Sequence, residues 1–321
     1  MGVNQKVKTI AITMGDPLGV GPEIAVQTLA SKDLRLQCRM ILVGDRHILN
    51  QAAEFCGIPD FEQRFGTDVE HVPCALTVTP DNAGTVQAEA GQAAYACIER
   101  AHELCTQGIC DAVATAPINK ESLKAANVPY IGHTEIFAGL TGAHDPLTMF
   151  ETTGLRIFFL TRHLSLRQAC DQVTEARVLD YIRRCTAALR NIGIANGTLA
   201  VAGLNPHSGE HGLFGTEEMD AIAPAVVKAK TEGYLVEGPV SADSVFHQAH
   251  IGKFAAVLSL YHDQGHIAAK TLDFHRTISV THGLPYLRTS VDHGTAFDIA
   301  WKGVADPISM QEATRLAALY A

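Results

Sequence analysis

The sequence predicts an α/β protein built on a mostly parallel sheet. Short apolar runs alternate with longer helical patterns along the chain. Most of the short runs are apolar at successive rather than alternate positions, as a strand covered on both faces requires. The 321 residues suffice for about two domains, or one large α/β unit, at roughly 100–200 residues per domain.

In chain order, residues 8–13 and 40–43 read as strands. Residues 86–106 read as a helix. Ala90, Ala94, Cys97, Ile98, Ala101, Leu104 and Cys105 form its apolar stripe, and Gly108 stops it. Strands follow at 111–114 and 155–160. The next helix, 175–192, aligns Val178, Leu179, Ile182, Cys185, Leu189 and Ile192 and ends at Gly193. A strand at 198–202, a helix at 217–230, strands at 254–260 and 277–281, and a helix at 310–320 complete the alternation. No internal repeat, charge block or low-complexity linker interrupts it.

Composition narrows the function. Apolar residues make up 47% and charged residues 18%, which excludes a largely disordered chain. The net charge of −9 argues against a broad nucleic-acid-binding face but leaves room for a small basic pocket. None of the eight cysteines forms C-x-x-C, so a reduced, cytoplasmic protein without zinc ribbon or redox motif is expected. The chain's start lacks the apolar core of a leader, and no uncharged apolar run reaches about 18 residues. Neither secretion nor a membrane partner is expected.

Histidine is the unusual residue, with 15 copies against one tryptophan. His163, His207 and His262 each lie just past the carboxyl end of an apolar strand, the edge that carries ligands in open α/β sheets. Three imidazoles from three strand ends can hold one cation and leave coordination positions open, as in a catalytic metal site. The alternative is an ordinary hydrogen-bonded loop histidine at each position. Asp263 follows His262 and reads as an orienter, a ligand or a base. Asp243 reads first as a helix-start residue. His266 has ligand spacing to His262 only if a helix begins at once, and Gly265 between them favours a turn.

An anion pocket is the second theme. Thr134, in GHTE at 132–135, opens a helical pattern where backbone N–H groups are unspent. Lys270 and Arg288 can add charge, although isolated Lys and Arg are usually solvated. The glycine-rich GDPLGVGPE at 15–23 is neither a Rossmann fingerprint nor a Walker loop.

GDPLGVGPE resembles the G-D-G-I-G-P-E loop of the isocitrate and isopropylmalate dehydrogenase superfamily. HGTAFDIAWKGVADP at 293–307 resembles that superfamily's loop around the adenosine half of NAD(P). The closer resemblance is to the 4-hydroxythreonine-4-phosphate dehydrogenase (PdxA) family. It is carried by ITMGDP at 12–17, ATAPINK at 114–120, GHTE, NPHSGE at 205–210, YHDQG at 261–265 and RTSVDHGTA at 288–296. These blocks keep one order over nearly the whole chain.

The resemblance implies two α/β/α domains of the isocitrate/isopropylmalate dehydrogenase-like fold with an active-site cleft between them. Residues 1–130 plus 276–321 would form the cofactor side, and 131–275 the metal-site and dimerisation domain. It implies a divalent metal (Zn, Mg, Mn or Co) on His163, His207 and His262, completed across a homodimer interface. Substrate contacts would be His133, Thr134, Lys270, Ser279 and Arg288. NAD would meet Asp292, His293, Gly294, Thr295, Ala296 and Asp298, with Asp298 disfavouring a 2′-phosphate. Lys270, Asp243 and Asp263 are the candidates for catalytic proton transfer.

The implied activity is NAD-dependent oxidative decarboxylation of a phosphorylated 3-hydroxy acid. The first expectation is 4-hydroxy-L-threonine 4-phosphate, in pyridoxal phosphate biosynthesis. Ser279 stands in ISVTHG at 278–283 where the family commonly has Asn, and His282 is unusual there. The YHDQGHI and GTAFDIAW spellings look more like the catabolic branch acting on 4-phospho-D-threonate or 4-phospho-D-erythronate. A branch oxidising aromatic cis-dihydrodiol carboxylates tends to lose the GHT and RTS spellings kept here. A metallohydrolase is the alternative from another class, a phosphotransacetylase leaves the histidines unexplained, and a binding protein would turn nothing over.

Overall fold

The computed structural model describes residues 7–321. Residues 1–6, part of the start read above as lacking a leader, lie outside the described residues. In chain order the strands are β1 (Thr9–Thr13), β2 (Arg39–Gly44), β3 (Val69–His71), β4 (Ala112–Thr115), β5 (Leu147–Thr152) and β6 (Leu155–Phe159). They continue with β7 (Leu199–Ala202), β8 (Val236–Val240), β9 (Ala256–Ser259), β10 (Ile278–His282) and β11 (Leu287–Val291). Among the described residues, no helix is long and apolar enough to cross a membrane.

Two compact units result. One is the chain up to Pro146 joined by Ile278–Ala321, and the other is Leu147–Thr277. The first crossing therefore lies after Pro146, not after residue 130 as the sequence suggests. The reason is the helix His133–Thr141. Its Phe137 is fully buried and meets Tyr286 edge-on at 6.3 Å, which fastens the helix to the first unit. The return crossing falls between Thr277 and Ile278, at the start of β10 rather than after residue 275.

In the first unit β3, β2, β1, β4 and β11 run parallel in that order, and β10 adds antiparallel to β11. In the second unit β6, β9, β7 and β8 run parallel in that order, and β5 pairs antiparallel with β6. Strands β4, β5, β7 and β9 are buried at every position, so both faces are covered, as the apolar runs of β4, β7 and β9 require. The helix Ala88–Thr106 buries its whole predicted stripe, and Glu175–Asn191 buries Val178, Leu179, Ile182, Cys185 and Leu189.

Two local expectations change. The 217–230 helix begins as a π-helical turn, Glu218–Ile222, before the α-helix Ala223–Thr231. Gly265 makes no turn: an α-helix, His262–Leu272, starts immediately. A Cβ on Gly265 would lie 2.5 Å from Phe159 and 2.8 Å from Ile157. The glycine is there because the helix lies directly on β6, not because the chain bends.

The same steric logic yields a stability prediction at Gly91, inside the helix Ala88–Thr106. An added Cβ would sit 2.1 Å from the Ser122 carbonyl oxygen and 2.3 Å from its carbon, both backbone atoms. Alanine gains about 1 kcal/mol of helix propensity, but overpacking costs about 1–3 kcal/mol. Gly91→Ala should therefore destabilise the chain, read as a lower urea midpoint. An unchanged or higher midpoint would show that this helix and the Lys120–Ala125 helix that carries Ser122 can separate without cost.

Candidate active site

The second unit brings the three strand-end histidines to one edge. His163 follows β6, His262 follows β9 and His207 follows β7, and these three strands are parallel neighbours with β9 in the middle. Neighbouring strands lie about 4.8 Å apart. The His163 and His262 ring centroids are 6.1 Å apart. His262 opens its helix, and its Nδ1 shares a 2.6 Å hydrogen bond with Asp263 Oδ1. His266, one turn on, stacks on the His262 ring at 3.6 Å, and its Nδ1 donates to the His262 carbonyl at 2.8 Å. Phe150 and Phe159 wall His266 in, with centroids at 4.4 and 4.6 Å.

His207 sits in an unusual backbone. From His207 through His211 all five residues have positive φ: 51°, 55°, 80°, 42° and 57°. Left-handed helical geometry costs about 1–2 kcal/mol per residue with a side chain. Such strain persists only where surrounding contacts over-determine it, and it gathers at functional sites.

His163, His207, Asp243 and Asp263 are exposed. Asp243 lies in the first turn of the helix Ala242–His250 without being its cap residue. Lys270 lies in the last turn of His262–Leu272, with Nζ 5.2 Å from the centre of the Phe274 ring. Among the described residues, no three His, Cys, Asp or Glu side chains are gathered closely enough to hold a metal.

The first unit holds the anion-pocket candidates His133, Thr134, Ser279 and Arg288. Arg288, on β11, is only 3% exposed. Its Nε and Nη2 donate to Thr115 Oγ1 at 3.2 and 2.9 Å, and Nη1 donates to Thr281 Oγ1 at 3.2 Å. Phe137 lies beneath the guanidinium at 5.6 Å. Arg288 makes no ion pair with a carboxylate among the described residues, and burial pulls its pKa down to about 9. Solvated surface charge, the bland alternative for this residue, is excluded.

His133 begins the helix His133–Thr141, whose cap position is Gly132 and has no side-chain cap bond. Its Nε2 is shielded from solvent and has no hydrogen-bond partner. Burial, then the Arg288 charge, hold its pKa well below the ordinary value, so the ring is neutral at pH 7. A helix N-terminus, Thr134 beside it, an unused imidazole nitrogen and a guanidinium offset only by the through-space charge of Glu135 are the kinds of group that anion sites use. Ser279 is half-buried and lies two residues from Thr281 on β10, hence on the Arg288 side of that strand. Sequence reasoning missed Thr115 and Thr281. Their signal was Thr115 at the end of a strand within ATAPINK, and Thr281 directly opposite Arg288 in the β10–β11 register.

Also in the first unit, two glycine-containing segments far apart in sequence lock together. The Val20 N–H donates to the Thr295 carbonyl at 3.0 Å, and a Cβ on Gly19 would meet Thr295 at 2.8 Å. Glu23 is fully buried, and its carboxylate accepts the Trp301 and Gly303 N–H groups at 2.7 Å each. The Trp301 indole donates to the Pro17 carbonyl at 2.9 Å. Glu23 had no predicted role. Ala296 takes φ 45° and Thr295 is buried, whereas Gly294 and Asp298 are exposed. His293 Nδ1 donates to the Gly294 carbonyl at 2.9 Å, and Asp292 beside it is half-buried.

Buried polar groups bound to short loops at the carboxyl ends of parallel strands define an α/β enzyme site. Comparison with known proteins makes this specific. The model of the family described as pyridoxal phosphate biosynthetic protein PdxA matches residues 36–317. A protein of Symbiobacterium thermophilum, provisionally named D-threonate 4-phosphate dehydrogenase, is 58% identical over 97% of this chain and 96% of its own. A crystal structure of 4-hydroxythreonine-4-phosphate dehydrogenase from Klebsiella pneumoniae superposes with a TM-score of 0.87 at 39% identity, covering 99% of this chain and 100% of that one. A terephthalate 1,2-cis-dihydrodiol dehydrogenase from Burkholderia xenovorans is more distant, with a TM-score of 0.68 at 30% identity over 98% of each chain. The protein is an oxidoreductase of the dehydrogenase type. It belongs to the PdxA family.

His282, on the face of β10 opposite Thr281, gives the fold a pH signature. It is 7% exposed, and burial lowers its pKa to about 4. As pH falls below about 6.5 the unfolded chain takes up the proton first, so the stability this neutral ring provides is lost down to about pH 4. His282→Gln cannot lose it. Between pH 7 and pH 4 the stability difference should move in the variant's favour by up to about 3 kcal/mol. Urea midpoints at several pH values measure this, and a pH-independent difference would refute a neutral buried ring.

Proposed function

We propose that this chain catalyses the NAD- and divalent-metal-dependent oxidative decarboxylation of a phosphorylated 3-hydroxy acid, with D-threonate 4-phosphate as the first substrate to test. The observation that carries the phosphate is Arg288: a buried guanidinium whose hydrogen bonds go to hydroxyls, with the Glu135 carboxylate acting on it only through space. A buried cation is stable only when paired, and a phosphate is the partner its planar donors fit. The curated relative at 58% identity carries the D-threonate name. The 4-hydroxy-L-threonine substrate is the second reading, favoured by the name of the Klebsiella structure.

The donor set suits a divalent cation. His262 has its Nδ1 on a carboxylate, as metal-bound imidazoles usually do, and His163 and His207 follow the strands on either side. When bound, the cation would supply Lewis acidity to the substrate hydroxyl and carboxylate, and NAD would supply the hydride acceptor. In the first unit, His133, Thr134 and Arg288 hold the phosphate and fix which carbon reacts. Ser279 contributes a hydroxyl on the Arg288 side of its strand. In the second unit, Lys270, Asp243 and Asp263 are the groups available to take the hydroxyl proton.

The loop from Asp292 through Asp298 receives the adenosine half of NAD, with the Asp298 carboxylate repelling a 2′-phosphate. A homodimer that completes the metal site agrees with the exposure of His163 and His207. The eight cysteines are all free, which suits a reducing compartment such as the cytoplasm.

The test is a substrate panel with NAD or NADP and defined metals, followed by NADH absorbance and CO2 release. It would include D-threonate 4-phosphate, D-erythronate 4-phosphate, 4-hydroxy-L-threonine 4-phosphate and an aromatic cis-dihydrodiol. A phosphorylated acid should be turned over with NAD and not with NADP. His207→Ala should abolish metal-dependent turnover with an unchanged circular dichroism spectrum. Hydrolysis without NAD reduction would replace the dehydrogenase reading with a metallohydrolase.

A further inference from the structure

The left-handed turn that carries His207 does not stand by itself. Glu218, the first residue of the π-helical turn, is 2% exposed. Its Oε1 accepts the Leu204 and Asn205 N–H groups at 2.7 Å each, and its Oε2 accepts Asn205 Nδ2 at 2.9 Å. Asn205 in turn receives the Ser208 N–H on its carbonyl at 3.1 Å, across His207. Gly209 packs against the same carboxylate: a Cβ there would lie 2.9 Å from Glu218 Oε2. One buried carboxylate thus grips both limbs of the turn. Gln264 links the turn to the helix of His262, donating to the Gly203 carbonyl at 2.8 Å while accepting the Leu260 N–H at 2.7 Å.

We infer that Glu218 is a positioning residue for the cation site: by capping the Leu204 and Asn205 N–H groups it holds His207 in the left-handed turn from which it binds the metal. This rests on the metal reading above, and a purely structural role for Glu218 is its rival. The chemistry is specific. A carboxylate accepts from three donors at once. In Glu218→Gln one oxygen becomes an NH2 group that meets either backbone N–H or the Asn205 amide, donor against donor. Loss of such outer partners typically weakens metal affinity 10- to 100-fold.

The experiment measures Zn2+ and Mn2+ dissociation constants of the full chain by competition with a chromophoric chelator. Melting temperatures of the metal-free proteins are taken alongside. Glu218→Gln should weaken cation binding about 10- to 100-fold, and Glu218→Asp, which keeps the charge, should recover part of the loss. A lowered melting temperature with parental cation affinity would make Glu218 structural only and overturn the proposal. His207→Ala separates the two readings. If it loses the cation while Glu218→Gln keeps it, the positioning role falls and the metal reading stands. If neither variant changes affinity, the metal reading falls and the positioning role with it. Should Glu218→Gln not fold, Asn205→Ala removes the Nδ2 contacts to Glu218 and Glu217 while leaving both backbone N–H bonds to Glu218, and should still weaken binding; parental affinity there overturns the proposal.

Discussion

Where a parallel strand ends, the backbone loses its ladder partners, yet the loops that leave it must stay irregular to present functional groups. Each buried N–H in such a loop needs an acceptor. In this chain two buried glutamates supply acceptors. Glu23 takes the Trp301 and Gly303 N–H groups, and Glu218 takes those of Leu204 and Asn205. Bonds of this kind, from amides to an ionised acceptor, are short and about twice as strong as neutral ones. They set loop geometry that no helix or strand imposes. Burial raises the Glu23 pKa, and the two N–H groups work against that rise. Neither carboxylate reaches a substrate in the proposed reaction. Both act on the backbone that carries the residues that do.

Arg288 shows the complementary constraint. Its three hydrogen bonds go to threonine hydroxyls, which satisfy geometry but not charge. Burying a cation is costly, and the Glu135 charge acting through space offsets only part of that cost, since burial still dominates the Arg288 pKa. A carboxylate paired directly with Arg288 would relieve that cost but occupy the donors proposed to hold the substrate phosphate. The neutral His133 beside it avoids adding a second positive charge. Phe137, beneath the guanidinium, keeps the pocket packed. A net charge of −9 therefore coexists with a buried Arg288, because the charge balance of the chain says little about a group enclosed by apolar and hydroxyl side chains.

Legibility in the sequence followed the length and regularity of each signal. The helices Ala88–Thr106 and Glu175–Asn191 were readable because their stripes repeat over several turns. β3 is only three residues long, and β8 contains Gly238 and Pro239, so neither shows a continuous apolar run. β5 and β11 carry threonine and charged residues that are buried only because of what packs on them. Gly265 was ambiguous for a physical reason: glycine serves tight turns and close helix–strand contacts alike, and only the neighbours Phe159 and Ile157 distinguish them.

The sequence by itself determined the α/β alternation, the placement of His163, His207 and His262 after apolar strands, and the family, because these depend on local pattern and on motif order. The tertiary structure decided the rest. It made β6, β9 and β7 neighbours, which is what brings those histidines to one edge. It moved the unit crossing to Pro146, since the partner of Phe137 is Tyr286, far along the chain. It recruited Thr115, Thr281 and Glu218, whose roles arise from what stands opposite them. A hydrogen bond between residues distant in sequence leaves no periodic trace, so no reading of local pattern finds it.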